Sequence, residues 1–298
     1  MSKPISGEVD GSSHESLCIG TWNVSWWTHQ RLTPIASLHL HLLALQETKL
    51  GPLPLENVRS SLRRQQYTLH HGAAAAARTV GGYGDSAGVG LLAMPGVAVS
   101  PLPPQCAAWR RLHAMARLHG VFFPRRPGLP LGLRVFSIYA PLQRGPQREA
   151  FNGAFVDFVS GLDMQIPTLL LGDFNGSVAP ERDFTSRDGQ VCPLLCRLLG
   201  PGGPFIDLLM AISPEEWAYT FAMPYLGSLK QSRCDLALGN RAVLNLIQRV
   251  RVVSAITEGG HSPVVIELRP VSSSWILSWR APKPRLPALL QLAGEELC

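Results

Sequence analysis

The sequence is short of several features that would point to particular classes of protein. No apolar run approaches the roughly 20 residues that a membrane-spanning helix needs. The first fifteen residues are polar, without the apolar block behind a basic start that a secretory signal has. Charged residues make up only 16% of the chain, whereas 46% of the residues are hydrophobic. We therefore expect a globular, intracellular protein with a substantial core and no membrane anchor, and the nucleus is among its candidate compartments.

Cysteines are few and scattered along the 298 residues. They are Cys18, Cys106, Cys192, Cys196, Cys234 and Cys298. The one close pair, Cys192 and Cys196, has no second pair that would complete a zinc site of common spacing. We interpret all six as buried free thiols.

The charge balance is modestly basic. The formal net charge is +6 and the sequence pI is about 9.2. A basic excess favours polyanionic partners, because lysine and arginine neutralise phosphates. Taken alone it is equally consistent with an ordinary solvated surface. Nothing in the sequence indicates a protein partner.

Short apolar runs rich in β-forming residues alternate with amphipathic or loop-like segments, which is typical of an α/β domain. The predicted strands are 17–22, 42–46, 87–93, 133–139, 168–172, 234–238 and 264–268. Helices are predicted at 146–162 and 194–199, and loops at 73–84 and 101–104. We expect one domain over 17–269, preceded by a polar flexible leader at 1–16 and followed by a tail or truncated linker at 270–298.

Polar residues recur where these predicted strands end. They are Asn23, Glu47, Tyr139, Asp173, Asn175, Asp235 and His261. An α/β scaffold can gather such strand-end residues into one crevice. Each residue alone also has an ordinary interpretation: Asp173 to Gly176 suits a strand-ending turn, Glu47 a surface carboxylate and His261 a loop histidine.

The order of these segments resembles the motifs of the endonuclease/exonuclease/phosphatase superfamily. The matching segments are Thr21-Trp22-Asn23, Gln46-Glu47-Thr48, Ile138-Tyr139-Ala140-Pro141, Gly172-Asp173-Phe174-Asn175, Ser232-Arg233-Cys234-Asp235 and His261-Ser262-Pro263-Val264. The resemblance spans 17–269. It implies a DNase I-like, four-layer α/β sandwich in which two packed β-sheets are flanked by helices.

The resemblance also implies a role for each residue. Glu47 would hold Mg²⁺, with Mn²⁺ as a possible substitute. Asp173 would deprotonate the attacking water, Asn175 would fix that water or a phosphate oxygen, and Asn23 and Tyr139 would hydrogen-bond the phosphate. His261 would be oriented by Asp235 and kept charged beside the phosphorus.

The segment Ser232-Arg233-Cys234-Asp235 resembles the Ser-Arg-x-Asp signature of abasic-site and retrotransposon-encoded DNA endonucleases. Together with Gln46-Glu47-Thr48-Lys49, it is most similar to the endonuclease domains of non-long-terminal-repeat retrotransposons. We therefore predict a metal-dependent phosphodiesterase that nicks nucleic acid, with DNA as its expected substrate.

Two acidic positions of the superfamily are absent, because the chain has Ser25 and Gly260 there. The loss at Gly260 is the more serious, since loss of a supporting metal contact weakens metal binding or activity about 10- to 100-fold; Glu258 lies nearby in the sequence. One alternative is a catalytically degenerate domain that binds nucleic acid. Another is a phosphomonoesterase acting on a small phosphorylated headgroup, with the pairs Arg110-Arg111 and Arg125-Arg126 as its basic groups.

Overall fold

The computed structural model describes residues 16–74, 87–126, 128–142, 145–185, 191–225, 227–254 and 260–269. The predicted tail, nearly all of the predicted leader, residues 75–84 of the predicted loop, and Glu258 lie outside the described residues. Within the described ranges, every helix is too short or too polar to cross a membrane.

Strands and short helices alternate along the chain. The strands are β1 Leu17–Asn23, β2 Leu42–Gln46, β3 Thr68–His71, β4 Val89–Ala93, β5 Ser100–Pro101, β6 Leu118–Phe123, β7 Leu133–Tyr139, β8 Thr168–Asp173, β9 Phe205–Asp207, β10 Phe221–Tyr225, β11 Ser228–Ser232, β12 Asp235–Asn240, β13 Ile247–Val252 and β14 Val264–Leu268. The helices are α1 Leu32–Ser37, α2 Pro52–Arg64, α3 Ala107–Ala114, α4 Pro146–Ser160, α5 Pro180–Asp183, α6 Pro193–Leu199, α7 Leu208–Ile212 and α8 Arg241–Leu244.

Two mixed six-stranded sheets form the centre of the molecule. One sheet has the order β13-β14-β1-β2-β4-β3, and the other has the order β5-β6-β7-β8-β12-β9. Strands β10 and β11 form a separate hairpin. In each six-stranded sheet the central pair is parallel: β1 with β2, and β7 with β8.

The core lies between the two sheets because alternate strand residues point to opposite faces. In β8, Leu169 and Leu171 belong to the cluster between the sheets, whereas Leu170 belongs to the cluster under the helices. The outer face of the second sheet is covered by α3, α4 and α6, and that of the first sheet by α1 and α2. In α4, Phe151, Phe155 and Phe158 recur at the helical period and are fully buried.

The expected four-layer DNase I-like fold is confirmed. The predicted strands 42–46, 133–139 and 264–268 have the bounds observed for β2, β7 and β14. The predicted helices correspond to α4, which ends at Ser160, and α6, which begins at Pro193. The predicted loop at 101–104 is correct except that Pro101 pairs with Val121 in the short strand β5.

A buried polar network joins the sheets at the ends of their central strands. Thr21 Oγ1 donates to Gln46 Oε1 at 3.1 Å, and Gln46 Nε2 donates to Ser137 Oγ of the other sheet at 3.0 Å. Ser137 Oγ donates back to the carbonyl oxygen of Leu45 at 2.8 Å. All three polar side chains are inaccessible to solvent and satisfied, so the network fixes how the two sheets face each other at this edge.

Candidate active site

The predicted site residues converge at one edge of the sandwich. Parallel strands β1 and β2 end there in the first sheet, and β7 and β8 end there in the second. Strands β14 and β12 run antiparallel to β1 and β8, so they begin at the same edge. This topology brings together Asn23, Glu47, Tyr139, Asp173, Asn175, Asp235 and His261, although they come from positions 23 to 261 of the chain.

Asp173 is a buried carboxylate of this edge. Its Oδ2 accepts a hydrogen bond from Asn23 Nδ2 across the two sheets at 2.9 Å, and its Oδ1 accepts from the backbone N–H of Asn175 at 2.9 Å. Burial and the nearby Asp235 carboxylate raise the pKa of Asp173 to about 7, although His261 and the two hydrogen bonds oppose the shift. Asp173 therefore changes its protonation state in the range where a general base works best.

Gly172 explains how Asp173 reaches this position. Gly172 has a φ of +152°, and a Cβ atom there would lie 1.9 Å from the carbonyl oxygen of Ile138 in β7. Any side chain would push β7 and β8 apart at their ends. The glycine is therefore required by the close approach of the two strands immediately before Asp173.

Asp235 and His261 form a buried pair. His261 Nδ1 lies 2.9 Å from Asp235 Oδ2, which is the hydrogen bond that the family resemblance implies. Thr220 positions both residues: its Oγ1 accepts from the Asp235 N–H at 3.0 Å and its carbonyl oxygen accepts from the Ser262 N–H at 2.7 Å. Burial alone would lower the pKa of His261, but Asp235, followed by Asp173 and Glu47, raises it to about 9. The imidazole is thus a cation at neutral pH.

Glu47 projects from the first residue beyond β2, where its φ is 55°. Its Oε1 lies 2.8 Å from Lys49 Nζ, and the ammonium also stands 6.0 Å from the ring centroid of Trp26. Mg²⁺ in proteins takes one or two carboxylates and keeps several waters, so the single, partly buried carboxylate of Glu47 suits it. The donor set at Glu47 fits Mg²⁺, with Lys49 as a competing cation.

The two asparagines are oriented by backbone contacts. Asn23 Oδ1 accepts from the Ser25 N–H at 2.8 Å, and Asn175 Nδ2 donates to the carbonyl oxygen of Ala140 at 2.8 Å. A primary amide carries two N–H donors. Each asparagine therefore retains one N–H for a substrate oxygen after the contacts with Asp173 and Ala140.

Tyr139 ends β7 directly opposite Asp173 in the parallel register. The guanidinium carbon of Arg117 lies 4.8 Å from the centroid of its ring, within the range of a cation–π contact. Arg110 and Arg111 instead lie exposed on the outer helix α3, and Arg125 follows the far end of β6. The basic pairs named for a headgroup phosphatase therefore do not line this edge.

Arg233 of the Ser-Arg-x-Asp segment does not face the crevice. Its side chain is 2% exposed, with Nε 3.2 Å from Asp183 Oδ1 and a second ion pair to Asp207 Oδ2. Its backbone N–H donates to the carbonyl oxygen of Asp183 at 2.8 Å. Arg233 thus ties β12 to α5 and β9, and its contribution to the site is to position the residues that follow it.

The backbone around Gly260 disfavours the carboxylate that the family resemblance would place there. Gly260 has a φ of +85°, and a Cβ atom there would lie 3.0 Å from both the Ala222 carbonyl oxygen and the Phe221 ring. An aspartate at this position would be strained as well as crowded. The local backbone is therefore built for glycine.

Two residues near the site were missed by the sequence interpretation. The expectation that the cysteines are buried holds for Cys192 and Cys234 but is wrong for Cys196, which is exposed, and Cys18 and Cys106 are half-buried. The Sγ of Cys234 lies 3.6 Å from Asp235 Oδ2, inside the site. Lys49 contacts Glu47 directly. The available signal was their position inside two motif segments, Ser-Arg-Cys-Asp and Gln-Glu-Thr-Lys.

No family model matches the sequence, and no curated protein matches it. Solved structures do match. An AP endonuclease from Archaeoglobus fulgidus has 19% sequence identity and a TM-score of 0.60, with 85% of this chain and 99% of that chain covered.

Two further solved structures match this chain with the same TM-score. The 3′ phosphatase NExo from Neisseria, bound to a product DNA hairpin, has 21% identity and a TM-score of 0.60, covering 85% of this chain and 99% of its own. The APE2 catalytic domain of Xenopus laevis has 18% identity and a TM-score of 0.60, covering 92% and 98%. At these identities the comparisons show the fold alone, which this chain shares with the three solved structures.

Proposed function

We propose that the protein is a Mg²⁺-dependent phosphodiesterase that nicks DNA by attack of a water molecule on phosphorus. The observation that carries this proposal is the pairing of opposite charges at one sheet edge. Asp173, with a pKa of about 7, lies beside the His261–Asp235 pair, whose imidazole has a pKa of about 9. A base and a cation held together suit a reaction that removes a proton and builds negative charge.

Asp173 is the proposed general base. Asn23 and the Asn175 N–H each hold one of its oxygens, so the carboxylate cannot rotate away from the crevice. Burial and the nearby Asp235 raise its pKa, which makes it a stronger base than an ordinary aspartate. It would take the proton of the attacking water as the oxygen–phosphorus bond forms.

The phosphate is the proposed ligand of the remaining polar groups. The second N–H groups of Asn23 and Asn175, together with Tyr139, would donate to its oxygens. His261 would place a positive charge where the pentacovalent phosphorus gathers negative charge, and Asp235 would maintain that charge through the 2.9 Å hydrogen bond. Donors fixed before the reaction stabilise such charge without reorganisation.

Glu47 is the proposed Mg²⁺ ligand, with Mn²⁺ as a substitute. A bound ion supplies Lewis-acid polarisation of a phosphate oxygen. Because Lys49 Nζ lies 2.8 Å from the same carboxylate and Gly260 supplies no second one, we expect weak metal binding.

DNA is the proposed substrate for two reasons. The net charge of +6 favours a polyanion, and the solved structures of the same fold include AP endonucleases and a 3′ phosphatase bound to DNA. The Ser-Arg-Cys-Asp and Gln-Glu-Thr-Lys segments favour the abasic-site and retrotransposon types. These types are distinguished by cleavage of abasic duplexes compared with intact duplexes.

The deciding experiment is nicking of supercoiled plasmid in Mg²⁺ or Mn²⁺, with and without EDTA. Asp173→Asn should remove most of the activity, whereas Asp157→Asn, a matched change at an exposed carboxylate of α4, should leave it unchanged. Nicking that survives both EDTA and Asp173→Asn would refute the assignment.

The same protein separates the alternatives. DNA that is bound in a gel shift but never cut at any metal concentration indicates a degenerate, nucleic-acid-binding domain. Release of phosphate from soluble inositol phosphates, without plasmid nicking, indicates a headgroup phosphomonoesterase. A duplex with a 3′-phosphate tests the phosphatase activity named for the Neisseria structure.

A further inference from the structure

Four potential metal ligands of different chemistry meet inside the site. They are Asp173, Cys234, Asp235 and His261, and one ligand atom from each lies within 4.8 Å of one from every other. All four residues are at most 6% exposed. The group thus differs from the clusters of exposed acidic residues that are common on protein surfaces.

The strand pairing brings the four residues together. Asp173 and Asp235 are directly opposite each other in the antiparallel register of β8 and β12. The carbonyl oxygen of Cys234 accepts from the Phe174 N–H at 2.9 Å, which holds the chain just before Asp235 against the end of β8. His261 joins the pair through its 2.9 Å hydrogen bond to Asp235 Oδ2.

One carboxylate oxygen of this group has no hydrogen-bond partner among the described residues. Asp235 is 1% exposed, and its Oδ1 is buried without a hydrogen-bond partner among the described residues. Leaving a buried acceptor unpaired is unfavourable, and more so when the group is charged. The other oxygen, Oδ2, already receives His261 Nδ1 and the Cys234 thiol. A cation beside Oδ1 would remove this deficit.

We propose that Asp173, Cys234, Asp235 and His261 bind one Zn²⁺ ion, at a site distinct from the Mg²⁺ position assigned to Glu47. One sulfur, one nitrogen and two carboxylate oxygens form a donor set that suits Zn²⁺ and is too soft for Mg²⁺. Zinc bonds of about 2.0 to 2.3 Å set tetrahedral ligand atoms roughly 3.3 to 3.8 Å apart. The four side chains therefore need only a small contraction.

Zinc bound there would act as an inhibitor, and this consequence rests on the proposed function. It would occupy the lone pairs of Asp173 with which that carboxylate accepts the proton of water. It would also withdraw His261 from the phosphate, because the imidazole would bind the ion. The Cys234 thiol and the His261 imidazolium would each lose a proton to solvent on binding, because the thiolate and the neutral imidazole are the metal ligands. The Cys234 thiolate favours a softer metal ion than Mg²⁺, whereas the Glu47 carboxylate does not.

The test uses Co²⁺ as a spectroscopic substitute for Zn²⁺ on the full chain. Wild-type protein should take up one Co²⁺ with a near-ultraviolet thiolate-to-cobalt charge-transfer band, and Zn²⁺ should displace it. Cys234→Ser should abolish the band and lower the Zn²⁺ affinity by about 100-fold or more, since loss of even an outer-shell partner lowers affinity about 10- to 100-fold. Cys196→Ser, at an exposed thiol, and Cys298→Ser are matched controls that should retain the band.

Two other variants keep the proposal falsifiable if Cys234→Ser fails to fold in circular dichroism. His261→Gln should weaken Co²⁺ binding but retain the thiolate band at saturation, and Glu47→Gln should retain both. Absence of the band in wild type overturns the site. So does a band that survives in folded Cys234→Ser or is lost in Cys196→Ser, Cys298→Ser or Glu47→Gln.

Activity supplies an independent readout. If the protein nicks plasmid, Zn²⁺ added with saturating Mg²⁺ should inhibit wild type, and the ratio of activity without and with Zn²⁺ should fall toward one in Cys234→Ser. A protein that binds Co²⁺ as described but does not nick DNA refutes the proposed function and leaves the zinc site standing. A protein that nicks DNA without the cobalt band refutes the zinc site and leaves the proposed function standing.

Discussion

His261 and His119 are buried to almost the same degree, at 6% and 7% exposure, yet their pKa values move in opposite directions, to about 9 and about 3. Burial lowers both. At His261 the Asp235 carboxylate reverses that effect. At His119, on β6 of the second sheet, the neighbours that matter are His113, His71 and His70, which lower its pKa further. Burial therefore keeps His119 neutral, whereas at His261 the facing carboxylates outweigh burial and keep the imidazole charged.

The regions around His261 and His119 also differ in hydrogen bonding. Within the described residues, neither ring nitrogen of His119 has a hydrogen-bond partner, and its ring packs 5.8 Å from that of His113. His71, whose pKa is lowered by burial to about 4, is satisfied by Thr48 Oγ1 at 2.8 Å and by the Gly72 carbonyl oxygen at 3.1 Å. Of these two regions, only the one around His261 combines a buried histidine with carboxylates, so only there does a histidine become a buried cation.

The substitution Asp235→Asn should have the largest effect on the difference between His261 and His119. Without the carboxylate, burial dominates at His261, and its pKa should fall below 7, as at the other buried histidines. We expect nicking to slow by about 10²- to 10⁴-fold, the usual contribution of a positioned acid–base group. Titration of the imidazole by NMR and plasmid nicking give the two readouts, with His119 as the internal reference that should not shift.

A double variant checks that the pair acts as one unit. Asp235→Asn combined with His261→Ala should be hardly slower than either single variant, because each change removes the same charged imidazole. Defects that multiply would show that the two residues act independently, and unimpaired nicking by Asp235→Asn would remove His261 from the mechanism.

The next largest effect concerns stability. His119→Leu removes two unsatisfied buried nitrogens and should stabilise the fold at pH 7 by about 1–3 kcal/mol. His71→Leu is the matched control and should destabilise by a similar amount, since it leaves the buried Thr48 hydroxyl without its 2.8 Å partner. Urea unfolding measures both. Destabilisation by His119→Leu would show that buried water satisfies His119.

The architecture and the positions of the predicted catalytic residues could be predicted from the sequence because both depend on short, local segments. Apolar runs mark β2, β7 and β14, and each motif residue lies at the end of such a strand or within three positions of it. Strand β13 was missed because it alternates Ile247 with charged residues such as Arg249 and Arg251. Strand β6 was missed because Gly120 interrupts it, although that glycine makes room for the Phe136 ring.

What the sequence could not reveal depends on pairing between distant segments. Cys234 enters the site only because β12 aligns Asp235 with Asp173, and that register is invisible in a list of scattered cysteines. Arg233 was informative as a motif residue, but its burial between Asp183 and Asp207 depends on α5 and β9, which were not predicted. The crowding that a side chain at position 260 would meet likewise comes from the nearby hairpin strand β10.

The smallest predicted effect is on the pH dependence of stability, where the two regions should act with opposite signs. A histidine with a folded pKa of about 3 and an unfolded pKa near 6.5 stabilises the fold above pH 6.5, and this stabilisation is lost as the pH falls toward 3. His261, raised to about 9, stabilises below pH 6.5, and its contribution is lost as the pH rises through 9. One proton corresponds to at most about 1.4 kcal/mol per pH unit.

His119→Leu should therefore flatten the acid side of the stability curve alone, so that its advantage over wild type grows by about 1 kcal/mol between pH 6 and pH 5. His261→Ala should change the alkaline side alone, between about pH 6.5 and 9. Urea titrations at pH 5, 6, 7, 8 and 9 test both at once. If both variants flatten the same side, the carboxylates do not control the charge of His261, and the contrast between the two regions fails.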